Sequence, residues 1–291
     1  MEIRLMNKAE YEASKSLWLA CFEDDDAAFV DWYYSRRTSP NDALGVFEDG
    51  GEEPVAMLHM RPVRMCFSGR TVSVCFVAGV CTHPAYRLRG LCAKLFERAF
   101  AIMRLRGYEA CVLQPFDTAF YERFGFKTYA SLKEITVSGE RLRAIGRSYE
   151  CVPPDPERLF EQYAEYTRGY DGCPLRSAEY FKGFIEEYSL PCAYLAVSDS
   201  GCCAGYGSGG RFTAYELFGS VRDPAELVAL LPKQYERVEF FLPENADASA
   251  VLRMFDGDPT LSCRTVPFCM IAPLVPGFDT GLGSMLCFDK Y

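Results

Sequence analysis

The chain has 291 residues, 49% hydrophobic and 24% charged, with 22 Phe and 18 Tyr, enough apolar side chain for one large or two ordinary domains. Its formal net charge of -9 argues against a nucleic-acid partner, since gripping a phosphate backbone needs a concentrated basic surface, and suits a cationic substrate better. No run reaches the roughly 18 apolar residues of a membrane span, and Met1-Glu2-Ile3-Arg4-Leu5-Met6 reads as a strand, not a leader, so a cytoplasmic location off the membrane is expected.

In chain order, a strand at Ile3 to Leu5 leads to a helix over 8–21 whose buried side holds Leu17, Trp18, Ala20 and Cys21. The acids Glu23-Asp24-Asp25-Asp26 then precede Phe29, Val30, Trp32 and Tyr33. Acids at a helix start satisfy its free amides; the same charges would also draw a cationic substrate. Two hairpins follow. Ala43 to Phe47 and Pro54 to Met60 flank the turn Glu48-Asp49-Gly50-Gly51-Glu52, and Pro62 to Cys66 and Thr71 to Cys81 flank Ser68-Gly69-Arg70. Residues 72–80 are too apolar for an edge strand and suit a sheet centre, with Gly79 marking a bulge or a close backbone approach. His59, inside an apolar strand, is either structural or part of an acceptor site; His83, before Pro84, is a turn element.

Beyond that turn the spacing predicts an amphipathic helix to about Arg106, with Leu91, Leu95, Phe96, Ala99, Ile102 and Met103 on one face and Gly107 closing it. A strand from Ala110 to Gln114, a short helix from Thr118 to Phe124 and a strand from Phe126 to Val137 complete an α/β alternation. Cys151-Val152-Pro153-Pro154-Asp155-Pro156 reads as a linker, dividing the chain into domains at 1–145 and 146–291. The second contains helices near 157–169, 177–187 and 223–231 and strands at 192–197, 202–207, 212–219 and 238–242, a shorter and degenerate echo of the first. The 14 cysteines, without a CxxC pair and with only two histidines, read as buried free thiols, and no metal is expected.

Arg87-Leu88-Arg89-Gly90-Leu91-Cys92-Ala93 joins a buried strand to a helix start. Such a junction points free amides outward, Gly90 admits a ligand closely, and two arginines add positive charge, so it suits phosphate; read without that role, it is a strand–helix turn with solvated arginines. No GK[ST] completes a Walker loop, and the three-glycine dinucleotide fingerprint is absent.

The segment from Val80 to Cys92 resembles the acyl-CoA motif of the GCN5-related N-acetyltransferases (GNAT), in which Arg or Gln, two residues, Gly and one residue precede Gly or Ala. Arg87 and Gly90 match it, and Cys92 stands in the last small position. Phe120-Tyr121-Glu122-Arg123-Phe124-Gly125-Phe126 resembles the tyrosine-bearing helix and following strand of the same family, and the whole is most similar to its Eis-like branch, whose members acetylate aminoglycosides and lysines. Members carry a second, degenerate domain, and many add a sterol-carrier-like third; past residue 274 only Val275 to Tyr291 remain here. The resemblance implies a GNAT acyl-CoA N-acyltransferase fold, a mixed central sheet with flanking helices, followed by a degenerate GNAT-like domain. Acetyl-CoA would be the cosubstrate, with Val80, Cys81 and Thr82 facing its pantetheine arm and Arg87, Leu88, Arg89, Gly90, Leu91 and Cys92 its pyrophosphate. The resemblance further implies that Tyr121 is the general acid and that the terminal carboxylate of Tyr291 enters the active site, Asp117 and Glu122 being neighbouring alternatives as base. Acetyl transfer would pass directly to an amine on a small molecule or a protein lysine, a homo-oligomer being compatible. The alternative is a catalytically retired acyl-CoA-binding module that regulates or scaffolds another protein.

Overall fold

The computed structural model describes residues 1–146, 149–220 and 223–278. The chain runs β1 (Glu2–Leu5), α1 (Lys8–Cys21), α2 (Ala27–Arg36), β2 (Ala43–Phe47), β3 (Pro54–Phe67), β4 (Arg70–Thr82), α3 (Leu91–Leu105), β5 (Ala110–Leu113), α4 (Thr118–Glu122), β6 (Lys127–Ser138) and α5 (Gly139–Ile145). It continues with α6 (Pro156–Thr167), β7 (Cys173–Pro174), α7 (Ala178–Glu187), β8 (Ala193–Val197), β9 (Gly201–Ser208), β10 (Arg211–Gly219), α8 (Pro224–Leu227), β11 (Arg237–Pro243), α9 (Ser249–Met254) and β12 (Ser262–Pro273).

The strands form one mixed sheet in the order β1-β2-β3-β4-β5-β12-β6-β11-β10-β9-β8, with β7 beside β3. The same local pattern occurs twice. Antiparallel strands β2, β3 and β4 lead into β5, parallel to β4; β8, β9 and β10 lead into β11, parallel to β10. The next strand is exchanged in each case: β12 from the end of the chain lies beside β5, and β6 lies beside β11. The two exchanged strands also pair with each other.

Local chemistry explains most element ends. Asn7 caps α1 through a reciprocal box with Glu10, and Asp26 accepts the Phe29 amide at the start of α2, 2.8 Å away. Of the acidic run, Asp26 thus serves as a cap, and the buried Asp25 accepts the indole N–H of Trp18 at 2.9 Å. The interval from Pro54 to Phe67, expected as two strands broken near Arg61, is one continuous strand. Pro62 is tolerated because its partner β2 ends at His59 and β7 begins only at Met65, leaving that edge of β3 without a ladder to interrupt.

Apolar side chains pack as three clusters. One lies under α1 and α2, centred on Trp18, Tyr33, Phe76 and Tyr129; one lies under α3, centred on Leu95, Phe96, Cys111 and Phe126; a third fills the second half around Phe181, Phe184, Phe218 and Phe240. In that third region Arg176 and Glu216 form a fully buried two-pronged ion pair at 3.0 and 2.6 Å. Each group there needs the other, since a lone buried charge is far costlier than the pair.

Candidate active site

Where β4 and β5 run in parallel they pair only from Val74 opposite Ala110 to Val77 opposite Leu113. Beyond that the two strands separate. On the other edge of β4 the register with β3 passes from His59 opposite Ala78 to Met57 opposite Cys81, so that Leu58 faces both Gly79 and Val80. This bulge bends the end of β4 away from β5. Gly79 makes it with φ of +60°, and a Cβ there would sit 2.5 Å from Cζ3 of Trp18. Both conditions admit only glycine.

The separation opens two adjoining cavities. The inner one, about 240 Å³, is lined by Phe76 to Val80 of β4, by Leu113 to Phe116 beyond β5, and by Phe22 and Tyr121. Its wall draws on both sheet faces: Val77 belongs to the cluster under α3, Phe76 and Ala78 to that under α1 and α2. The outer one is a groove of about 1050 Å³ on the α3 side. Val80, Cys81, Thr82, Arg87, Leu88, Gly90, Leu91 and Cys92 all line it, so eight of the nine residues expected to face the cofactor share one surface. Arg89 does not line it; its guanidinium donates to the Ala85 carbonyl at 3.0 Å and stacks over Tyr86 at 4.8 Å.

The turn itself is shaped for an anion. Leu88 and Gly90 are both left-handed, with φ of +64° and +72°, and the Leu88 side chain projects fully into solvent. Alternation of this kind turns successive amides toward one point. Gly90 is the N-cap of α3, and among the described residues no side chain caps that helix and no acid occupies its first turn. The amides of Leu91, Cys92 and Ala93 therefore keep their hydrogen-bonding capacity and the positive end of the helix dipole. A Cβ at Gly90 would meet nothing within 4 Å, so the space before the turn is open. Arg87 folds over it, donating from Nε to the Thr82 carbonyl at 3.3 Å. The corresponding helix of the second half differs in length and cap: α8 has four residues, and the Asp223 carboxylate caps it, accepting from Ala225 N at 2.9 Å. That carboxylate occupies the place an anion would need.

Tyr121 sits in α4 with its ring edge-on to Phe96, Phe116, Phe120 and Phe126. It is 4% exposed and forms part of the inner cavity wall opposite Val80. Burial, followed by the nearby Cys92 thiolate form, raises its phenol well above the usual tyrosine range, so the hydroxyl stays a proton donor at neutral pH. Asp117 caps α4, accepting from Ala119 N at 3.0 Å, and Glu122 points to solvent. His83 caps the turn at Pro84–Tyr86 through Nδ1. His59 is fully buried among Tyr11, Trp18, Tyr33 and Tyr34, stacked on Tyr33 at 5.7 Å, and lines neither cavity. Burial pulls its imidazole down to about 3, so it is neutral, and neither ring nitrogen has a hydrogen-bond partner among the described residues. Tyr291 lies outside the described residues.

Several groove residues escaped the sequence reading. Cys21 and Phe22 come from the end of α1, some sixty positions before the turn, and nothing in their local pattern sets them apart. Arg123 packs 4.1 Å over Phe120 and 4.8 Å over Phe124, a second guanidinium on the groove beside Arg87. Its signal was available: an arginine among four aromatics just before Gly125. Among the described residues no helix is long and apolar enough to cross a membrane, and no group of three or more His, Cys, Asp or Glu is placed to hold a metal ion.

The site is thus a mixed sheet that parts between two parallel strands, with the uncapped start of α3 at the opening. Residues 2–129 match the family model for the acetyltransferase (GNAT) domain. The fold is similar to that of a GCN5-related N-acetyltransferase from Kribbella flavida (17% identity, TM-score 0.68), covering 94% of this chain and 72% of that one. It is also similar to Eis1 from Mycobacterium abscessus (16%, 0.64, covering 94% and 74%). A GCN5-related N-acetyltransferase from Anabaena variabilis gives 12% identity and a TM-score of 0.68, covering 94% and 73%. A search of curated proteins gives no match.

Proposed function

We propose that this chain is an acetyl-CoA-dependent N-acetyltransferase that passes the acetyl group directly to an amine. The observation that carries the reading is the uncapped, left-handed turn of residues 87–92 at the head of a groove that leads into the gap between β4 and β5. The pyrophosphate would rest on the amides of Leu88 to Cys92, with Arg87 and Arg123 within the same groove and Arg89 at its edge. The pantetheine arm would lie along Val80 to Thr82, where β4 has left β5 and, among the described residues, its backbone has no strand partner on that side.

The thioester would then reach the inner cavity. The bulge at Gly79 and Val80 turns a backbone amide out of the β3–β4 ladder, a donor for the oxyanion that develops on the thioester carbonyl. Tyr121 would protonate the departing thiolate, a role its raised pKa suits. The acceptor would enter from the α1 and α2 side, whose cluster shares Phe22, Phe76 and Ala78 with the inner cavity wall, and the net charge of -9 suits a cationic amine, of a small molecule or of a protein lysine. In this reading the second half, 146–291, is a GNAT-like domain whose own turn has lost anion binding through Asp223.

The test is an amine panel of polyamines, aminoglycosides and lysine peptides, followed by free-thiol release and product mass together. Thiol release matched by an acetylated product establishes the transferase. Saturable coenzyme A binding without transfer to any amine would instead leave a binding module.

A further inference from the structure

On one face of β12, β6, β11 and β10 the strand registers set polar side chains in rows. The first row holds Arg211 beside Arg237; the next holds Thr213, Glu239, Thr136 and Ser262; the third holds Glu134 opposite Arg264. All of them line one cavity of about 590 Å³, walled by the loop of residues 259–261. None of them lines the outer groove or the inner cavity. We propose that this cavity binds a small zwitterion, its carboxylate held between the guanidiniums of Arg211 and Arg237 and its ammonium on the carboxylate of Glu239.

The charges of these rows are unmatched within the chain. Like charges at the same register of neighbouring strands repel. Arg211 and Arg237 form such a pair, and among the described residues neither guanidinium makes an ion pair or a hydrogen bond. Glu239 follows Arg237 on the same face, about 6.6 Å further along β11. Its carboxylate likewise makes no ion pair or hydrogen bond among the described residues. The neighbouring acids are committed elsewhere. Glu134 accepts from Arg264 Nε, and Asp258 accepts from Ser138 and Thr260, fastening the loop that walls the cavity. Three guanidiniums therefore face two carboxylates here, in a chain whose net charge is -9.

A sheet face open to water is polar by default. This one is enclosed: Thr136 is 7% and Glu134 9% exposed, and Glu239 is half-buried. Burial first, then the Glu134 charge, holds the Glu239 carboxyl above its ordinary range, and a cation beside it would relieve both. A plain anion would serve the two arginines and set a further negative charge facing Glu239. A plain cation would serve Glu239 and repel the arginines. One molecule carrying both ends serves all three. The hydroxyls of Thr213, Thr136 and Ser262, in the row of Glu239, supply further acceptors for the ammonium. Two adjacent guanidiniums offer paired donors to a carboxylate.

The experiment titrates the intact chain calorimetrically with glycine, β-alanine, γ-aminobutyrate and ε-aminocaproate, with butyrate and butylamine as controls that carry one charge each. The expected result is saturable one-to-one binding of at least one zwitterion, roughly tenfold or more tighter than either control. The chain length that binds best measures the span from the arginine pair to Glu239. Arg211→Gln and Arg237→Gln should each weaken that zwitterion about tenfold, while Arg237→Lys, which keeps the charge, should lose less. Glu239→Gln should lower it to the affinity of butyrate. Circular dichroism of the unliganded variants checks that each is folded, and the wild-type series judges the site without them. No saturable heat with any zwitterion, butyrate binding as tightly as the best of them, or unchanged affinity in both glutamine variants of the arginines would overturn the site. Because the cavity shares no residue with the outer groove, either result leaves the acetyl-CoA reading to its own test.

Discussion

Gly79 lies directly against the indole of Trp18, close enough that a single added carbon would fall 2.5 Å from Cζ3. The contact ties the end of β4 to α1, and through it the bulge that parts β4 from β5. Its backbone is also left-handed, so alanine there meets both strain and a clash. Gly79→Ala should destabilise the fold by at least about 2 kcal/mol. Urea unfolding measures this, and a loss under about 0.5 kcal/mol would show that the bulge does not need this contact.

Tyr121→Phe keeps the ring packing and removes only the hydroxyl. Turnover should fall about 100-fold with acetyl-CoA affinity little changed. Because burial raises its pKa, the proton is retained as pH climbs through the ordinary tyrosine range near about 10. The wild-type rate should therefore show no alkaline limb from this group below that pH. Equal turnover of wild type and variant, with chemistry limiting, would remove Tyr121 from the reaction.

Gly90 offers a charge-specific probe of the turn. Its left-handed backbone is one that Asn and Asp also adopt, and the space for a side chain is open. Gly90→Asp should weaken acetyl-CoA binding by roughly tenfold or more, because it places a carboxylate where Asp223 stands in the second half. Gly90→Asn, of the same size without the charge, should lose far less. Equal effects in the two variants would mean that shape, and not charge, governs the site.

Cys21 gives a titration that needs no cofactor. With its thiol held down to about 6, the reactive thiolate is present above that pH and is lost as pH falls through it. Its alkylation by iodoacetamide should be half-maximal near pH 6, well below the value of about 8.5 for an ordinary thiol. In Cys81→Ala, which removes the largest cause of the shift, the midpoint should move upward. A wild-type midpoint near the ordinary value would show that the surroundings of Cys21 do not hold its thiol down.

The succession of elements along the first half was legible because its signals are local. The turn at Gly90, the α3 face from Leu91 to Met103 and the helix of 8–21 each carry their own periodicity or cap. The bulge was marked by Gly79 alone, as a glycine inside an apolar run. What stayed hidden was assembly. The strand Ser262–Pro273 is signalled only by the short apolar run Phe268 to Ala272: Pro267 interrupts it, its first part is exposed, and the register slips twice around Cys269. Its place beside β5, and that of β6 beside β11, is decided by partners far away in the chain, such as Met270 opposite Leu113 and Arg237 opposite Ser138. The groove shows the same division. The phosphate-shaped turn reads from seven consecutive residues, whereas Cys21 and Phe22 reach it only through the packing of α1 on β4.

The most direct measurement is a pair of calorimetric titrations of the reduced chain, one with coenzyme A and one with pantetheine, which has the same thiol arm but no pyrophosphate. Amides at the head of α3 that grip linked phosphates require saturable one-to-one binding of coenzyme A and at least roughly a hundredfold weaker binding of pantetheine. Comparable affinity for the two, or no saturable heat with coenzyme A, would contradict it.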